Sequence, residues 1–196
     1  MRARLLLLVA ALLFATALPS QASVTSDGPF LNSFKFWSPS ICMAIGDTGL
    51  NAAPLAQAWN SQTPGQLAIT ASNNCVTAGY PPSRRFTIDA YNGATSKCLI
   101  LTDRSGNAFD PAGDATASGG HWVYNDNPMI WINRNCYGTL AARDHYASAG
   151  IGQILGLATL NSPGNDSRVV NMTDWSIRNV TSADPYSGAV LGRLYG

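Results

Sequence analysis

The sequence predicts an α+β fold, one twisted sheet backed by helices. Three observations carry this. Short alternating or apolar runs, bounded by turn residues, recur between residues 34 and 133 and read as strands. Two longer stretches, near residues 51–60 and 141–157, place apolar side chains at helical spacing. A third helical stretch follows Asp184 and Pro185, an N-cap residue and a proline in the first turn.

Each element can be justified in order. Phe34–Trp37 and Ile41–Ile45 read as one extended segment bent at Pro39, and Gly46–Gly49 as a turn. From Asn51 to Asn60 the pattern favours a helix, with Pro54 in its first turn and Leu55, Ala58 and Trp59 on one face. Leu67–Ala71 suits a strand. Arg85–Tyr91 alternates Phe86, Ile88 and Ala90 against polar neighbours, the pattern of a half-buried strand. Asn92 and Gly93 turn the chain, and Cys98–Thr102 reads as the next strand. Residues 105–120 are rich in Gly, Asp, Ala and Ser without an apolar period, and read as a long surface loop. His121–Tyr124 and Met129–Asn133 read as further short strands. The helix from about Ala141 to Leu157 places Ala147, Ile151, Ile154, Leu155 and Ala158 on one face. Tyr146, Ala149, Gly150, Gln153 and Leu157 form the adjacent stripe. Gly156 can take the left-handed conformation that ends a helix.

The first residues serve another purpose. Arg2 and Arg4 precede an apolar run from Leu5 to Leu18, and Ser20 and Ala22 put small residues where a signal peptidase reads. This predicts a signal peptide over residues 1–22 and a single domain over 23–196. The apolar run is shorter than the roughly 20 residues needed to span a bilayer. The expected product is therefore secreted and extracellular, with no membrane attachment after cleavage.

Composition excludes several functions. Removing Arg2 and Arg4 from the 12 Lys and Arg leaves 10, against 11 acidic residues, with no basic run to hold nucleic acid. All 11 acidic residues are Asp, so no glutamate general base exists, and the two histidines, His121 and His145, cannot supply a three-histidine metal site. Four cysteines, Cys42, Cys75, Cys98 and Cys136, predict two disulfides in an oxidising compartment, with three possible pairings.

Several landmarks share their order and spacing with a known family. They are the helix around Ala56–Asn60 followed by the strand Leu67–Ala71, and Met129–Asn133 leading through Tyr137 into the central helix. Ile154–Leu157 closing that helix, Val169–Met172 beyond it and the final helix ending Leu194-Tyr195-Gly196 complete the set. The chain resembles the matrixin-like branch of the metzincin metallopeptidases, small secreted bacterial members in particular. The resemblance implies a mostly parallel mixed sheet of about five strands backed by two long helices, with a C-terminal helix. It also implies a zinc cleft, a methionine turn at Met172 and a peptide substrate.

The catalytic part of the family motif, His-Glu-x-x-His-x-x-Gly-Leu-x-His, does not carry over. Its first histidine falls on Ala149, its glutamate on Gly150, its second histidine on Gln153 and its third on Thr159. A methyl, a hydrogen, an amide and a hydroxyl replace the groups that would bind zinc and take a proton from its water. Zinc is thus expected for the family but lacks its ligands here, and no cofactor is expected. The sequence reads as a pseudopeptidase that binds a peptide or protein segment in a vestigial cleft at Ala149, Gly150, Gln153, Thr159 and Met172. The alternative is an active hydrolase or metallopeptidase with a non-standard site, and a third reading is a structural protein with a filled cleft.

Other chemistry is less well supported by spacing. Asp144 and His145 read as a surface pair, with His145 about 100° from the cleft stripe. A metal site from His121, His145 and Asp144 or Asp174 lacks convergent spacing. Ser148 lies within a helix and not in a nucleophile elbow. Asn165, Asn171 and Asn179 match the glycosylation pattern.

Overall fold

The structure, a computed structural model, describes residues 34–46, 48–108, 111–118, 121–157 and 184–196. The expected signal peptide lies outside these residues. The strands are β1 (Phe34–Lys35), β2 (Ser40–Ile45), β3 (Ala68–Ala71), β4 (Arg85–Tyr91), β5 (Leu99–Thr102), β6 (Ala115–Ser118), β7 (His121–Tyr124) and β8 (Met129–Asn133). The helices are α1 (Ala52–Gln62), α2 (Pro111–Asp114), α3 (Leu140–Ile154) and α4 (Pro185–Tyr195).

The α+β class holds, but the strands form two sheets where one was expected. A five-stranded sheet runs β3-β2-β4-β8-β5, and a three-stranded sheet runs β1-β7-β6. In the larger sheet β3, β2, β4 and β8 pair in parallel, and β5 joins β8 antiparallel. The register matches Ile41 with Ile69, Met43 with Phe86 and Ile88 with Ile130, so these side chains share one face. All are buried, and that face meets Leu55 and Trp59 of α1 and Ala147, Ile151 and Ile154 of α3 in one core. Full burial of each such side chain is worth about 1.5–3 kcal/mol.

Two local expectations need correction. Phe34–Trp37 and Ile41–Ile45 do not form one bent segment: β1 pairs with β7, and β2 lies in the larger sheet. Phe36, between them, joins the two sheets, its ring 4.8 Å from that of Tyr124 and 6.0 Å from that of Phe86. The stretch 105–120 is not a continuous loop, since it contains the single-turn α2 and β6. The strand Ala115–Ser118 pairs with β7 through its backbone. Its small, mostly exposed side chains carry no apolar alternation that a sequence could display.

The helix ends follow local chemistry. Asn51 caps α1 through its side chain, and Thr139 caps α3 by accepting from the Ala142 amide at 3.1 Å. α3 ends at Ile154, three residues short of the expected end, with Gly156 at φ +121°. A Cβ at Gly156 would lie 2.9 Å from the Phe34 carbonyl, so close packing as well as conformation calls for glycine. Asp184 caps α4, accepting from the Ser187 amide at 2.8 Å and the Ser187 hydroxyl at 2.7 Å. No described helix is long and apolar enough to cross a membrane. The cysteines pair Cys42–Cys75 and Cys98–Cys136.

Candidate functional site

The predicted cleft residues within the described chain all lie on α3. This helix is buried on every side from His145 to Ile154. Ala149 is 0% exposed and Gln153 9%. Gly150 faces the sheet: a Cβ there would come within 2.5 Å of Ile130 Cγ2 and 3.0 Å of Leu99 Cδ1. The absence of a side chain at Gly150 lets α3 approach β8 and the edge strand β5 closely. Thr159 and Met172 lie outside the described residues, as do Asp174, Asn165, Asn171 and Asn179.

The expected surface pair is corrected. His145 is only 2% exposed, with its ring set edge-on to Tyr146, 5.6 Å between centroids. Four residues turn a helix by 400°, so His145 stands only about 40° from Ala149 and shares the buried side of α3. Asp144 instead pairs with Arg143, whose Nε and Nη2 donate to its Oδ1 at 3.0 and 2.9 Å. Ser148 is fully buried and, among the described residues, its Oγ has no hydrogen-bond partner and no base is placed to take its proton.

The two edges of the larger sheet differ. At β3, the Asn60 side chain from the last turn of α1 receives the Ile69 N–H at 2.7 Å and donates to the Ile69 C=O at 2.9 Å. This amide takes both backbone bonds that an added strand would use at Ile69, and so caps the edge at that residue. At β5 the ladder settles which groups face outward. The Asn133 N–H donates to the Cys98 C=O at 2.9 Å, which makes Cys98 and Asn133 a hydrogen-bonded pair. Bonded and non-bonded pairs alternate in an antiparallel ladder. Leu99, opposite Ile132, is therefore non-bonded, and its N–H and C=O point away from β8. Nothing among the described residues pairs with them. Further along, a bridge between Thr102 and Ala108 covers the end of the strand. The open stretch is short, and it lies directly over Gly150.

The approach to β5 is firmly held. Asn133 is fully buried, and its Nδ2 donates to the carbonyls of Ala94 at 2.8 Å and Lys97 at 3.1 Å. Its Oδ1 accepts from the amides of Gly93 at 3.2 Å and Asn135 at 3.0 Å. The Tyr91 hydroxyl donates to the Lys97 carbonyl, and burial holds that phenol above its ordinary pKa. The Cys98–Cys136 disulfide completes the attachment. Sequence reasoning found neither Asn60 nor Asn133. Asn60 bonds Ile69, and Asn133, beyond its local bond to the Asn135 amide, bonds Gly93, Ala94 and Lys97, which only the fold brings near, so local spacing does not mark these roles.

A zinc ion does not fit this donor set. Ala149 and Gly150 offer no donor atom, and the amide of Gln153 is a poor ligand. Among the described residues, no three His, Cys, Asp or Glu side chains come together to hold a metal. No family model, no curated protein and no solved structure matches the chain.

Proposed function

We propose that this chain is a secreted, metzincin-like pseudopeptidase that holds an extended peptide or protein segment beside the vestigial cleft, along the edge of β5. The observation that carries the reading is the contrast between the two sheet edges. Asn60 takes the outward N–H and C=O of Ile69 at the β3 edge, while those of Leu99 at β5 have no partner among the described residues. An added strand gains affinity from such main-chain bonds and specificity from alternate side chains. The mostly parallel five-stranded sheet, the helices α1 and α3 and the C-terminal α4 support the reading, while the three-stranded sheet and α2 lie outside the architecture the resemblance implies. The burial of Ala149 and Gln153 supports a ligand on the strand edge over one lying across the helix. Binding replaces hydrolysis in this reading, because the chain has no glutamate and no described ligand set for zinc. The partner is a polypeptide; nucleic acid has no basic surface run to engage.

The test uses the intact oxidised protein after chelator treatment and dialysis, screened against a library of extended peptides. Saturable binding without cleavage is expected, and it should be lost in Leu99→Pro, which removes the outward N–H, with the circular dichroism spectrum unchanged. Retained stoichiometric zinc, or chelator-sensitive cleavage, would overturn the reading in favour of a hydrolase with a non-standard site. A folded protein that binds none of the peptides would overturn it in favour of a structural domain with a filled cleft.

A further inference from the structure

We propose that Asn92 is a site of spontaneous chemical modification, with water as co-reactant, and that Asn133 and Asn135 hold the reaction in check. Asn92 is exposed and precedes Gly93, and this is the only Asn-Gly pair in the sequence. With no Cβ to shield it, a glycine amide nitrogen can reach the side chain of a preceding asparagine. The Gly93 nitrogen bonds to Asn92 Cγ, its proton passes to a solvent base, and the Cγ–Nδ2 bond breaks with loss of ammonia. Water then opens the cyclic imide at either carbonyl, giving aspartate or its β-linked isomer. Overall one water enters and one ammonia leaves.

The fold keeps the reactive pair in place. A Cβ at position 93 would lie 2.5 Å from Cε2 of the Tyr91 ring, and that ring is anchored through its hydroxyl on the Lys97 carbonyl. Glycine is therefore required at 93 for packing, and the unshielded nitrogen follows from that need. The same surroundings oppose the reaction. The Gly93 N–H donates to Asn133 Oδ1 at 3.2 Å, and the Gly93 C=O accepts from Asn135 Nδ2 at 2.9 Å. Asn133 cannot turn away cheaply, because its other bonds hold Ala94 and Lys97. Residue 93 is thus held at both its N–H and its C=O, while cyclisation requires its nitrogen to turn toward Asn92. The β-linked product would add a main-chain carbon and a carboxylate just before this clamp, on the segment that leads to Cys98 and β5.

The full-length oxidised protein, incubated without denaturant in mildly alkaline buffer, tests the proposal through peptide mapping and isoaspartate labelling. A synthetic peptide covering residues 85–98 gives the unclamped rate. Asn92 should be the first asparagine of the chain to convert, about tenfold more slowly than in the peptide, the factor that 1.4 kcal/mol of clamping produces. Asn135→Ala, which removes one clamp from an exposed position, should raise the native rate several-fold with the near-ultraviolet dichroism unchanged. Asn92→Gln should abolish conversion at this position. A native rate equal to that of the peptide, an unreactive peptide, or earlier conversion of another asparagine would each overturn the proposal.

Discussion

Tyr195 ties three parts of the molecule together through one oxygen. Its hydroxyl accepts the Phe36 N–H at 3.1 Å and donates to the Leu155 carbonyl at 3.0 Å. Burial pushes its pKa well above the ordinary value, opposed in part by the Phe36 amide, and burial raises Tyr124 as well. Both phenols are thus kept neutral in the folded chain. Below a pH of about 10, the ordinary tyrosine value, both states are protonated and the full contribution is present. Above it the unfolded chain loses its protons first, so stability falls as pH climbs toward the folded values. Tyr195→Phe should cost about 1–2 kcal/mol at neutral pH by removing the two bonds. It should also flatten the fall in urea midpoint above about pH 10. An unchanged alkaline slope in this variant would show that Tyr195 does not carry the linkage. None of this was legible in the sequence, where Tyr195 was only part of a terminal landmark. Its partners lie 159 and 40 residues away.

Periodic elements were the readable ones. Arg85–Tyr91 appears with the boundaries that its alternation predicts, Met129–Asn133 forms the short strand expected there, and Asp184 and Pro185 start α4 as expected. β6 was hidden because backbone pairing, not side-chain burial, fixes it. The stripe on α3 was legible as a stripe, but not for the packing it reports. Gly150 sits against Ile130, a fully buried β-branched side chain with no room to withdraw. Gly150→Ala gains about 1 kcal/mol of helix propensity, but overpacking a core costs about 1–3 kcal/mol. Because Ile130 cannot yield, the overpacking cost should fall in the upper part of that range, about 2–3 kcal/mol, for a net loss of about 1–2 kcal/mol in chemical denaturation. Gly138 makes the control: a Cβ there meets nothing within 4 Å and its φ is not positive, so Gly138→Ala should be neutral or slightly stabilising. Equal effects at the two positions would mean that α3 is not pressed onto the sheet at Gly150.

The whole molecule is stapled at both flanks of its larger sheet. Four cysteines predicted two disulfides, but choosing among three pairings needs the strand order, which the sequence does not display. Cys42, inside the sheet on β2, reaches Cys75 just beyond β3, and Cys98 just before β5 reaches Cys136 at the entry to α3. Each edge strand is thereby fixed to the body of the protein. The separations of 33 and 38 residues are similar, and by loop-closure entropy each bond contributes about 3–4 kcal/mol. Stability therefore does not distinguish the two, whereas access does. Cys42 and Cys75 are both buried, while Cys98 is only partly so. An attacking thiolate must reach a sulfur, so mild reductant without denaturant should open Cys98–Cys136 first, as mass spectrometry of alkylated peptides would register. The β5 edge should then lose its anchor while the β3 edge, still held by Asn60 at Ile69 and by Cys42–Cys75, keeps its order. Hydrogen exchange should rise across residues 92–102 and stay low across 68–71. If both segments loosen together, the sheet unfolds as one unit and the two staples are not independent.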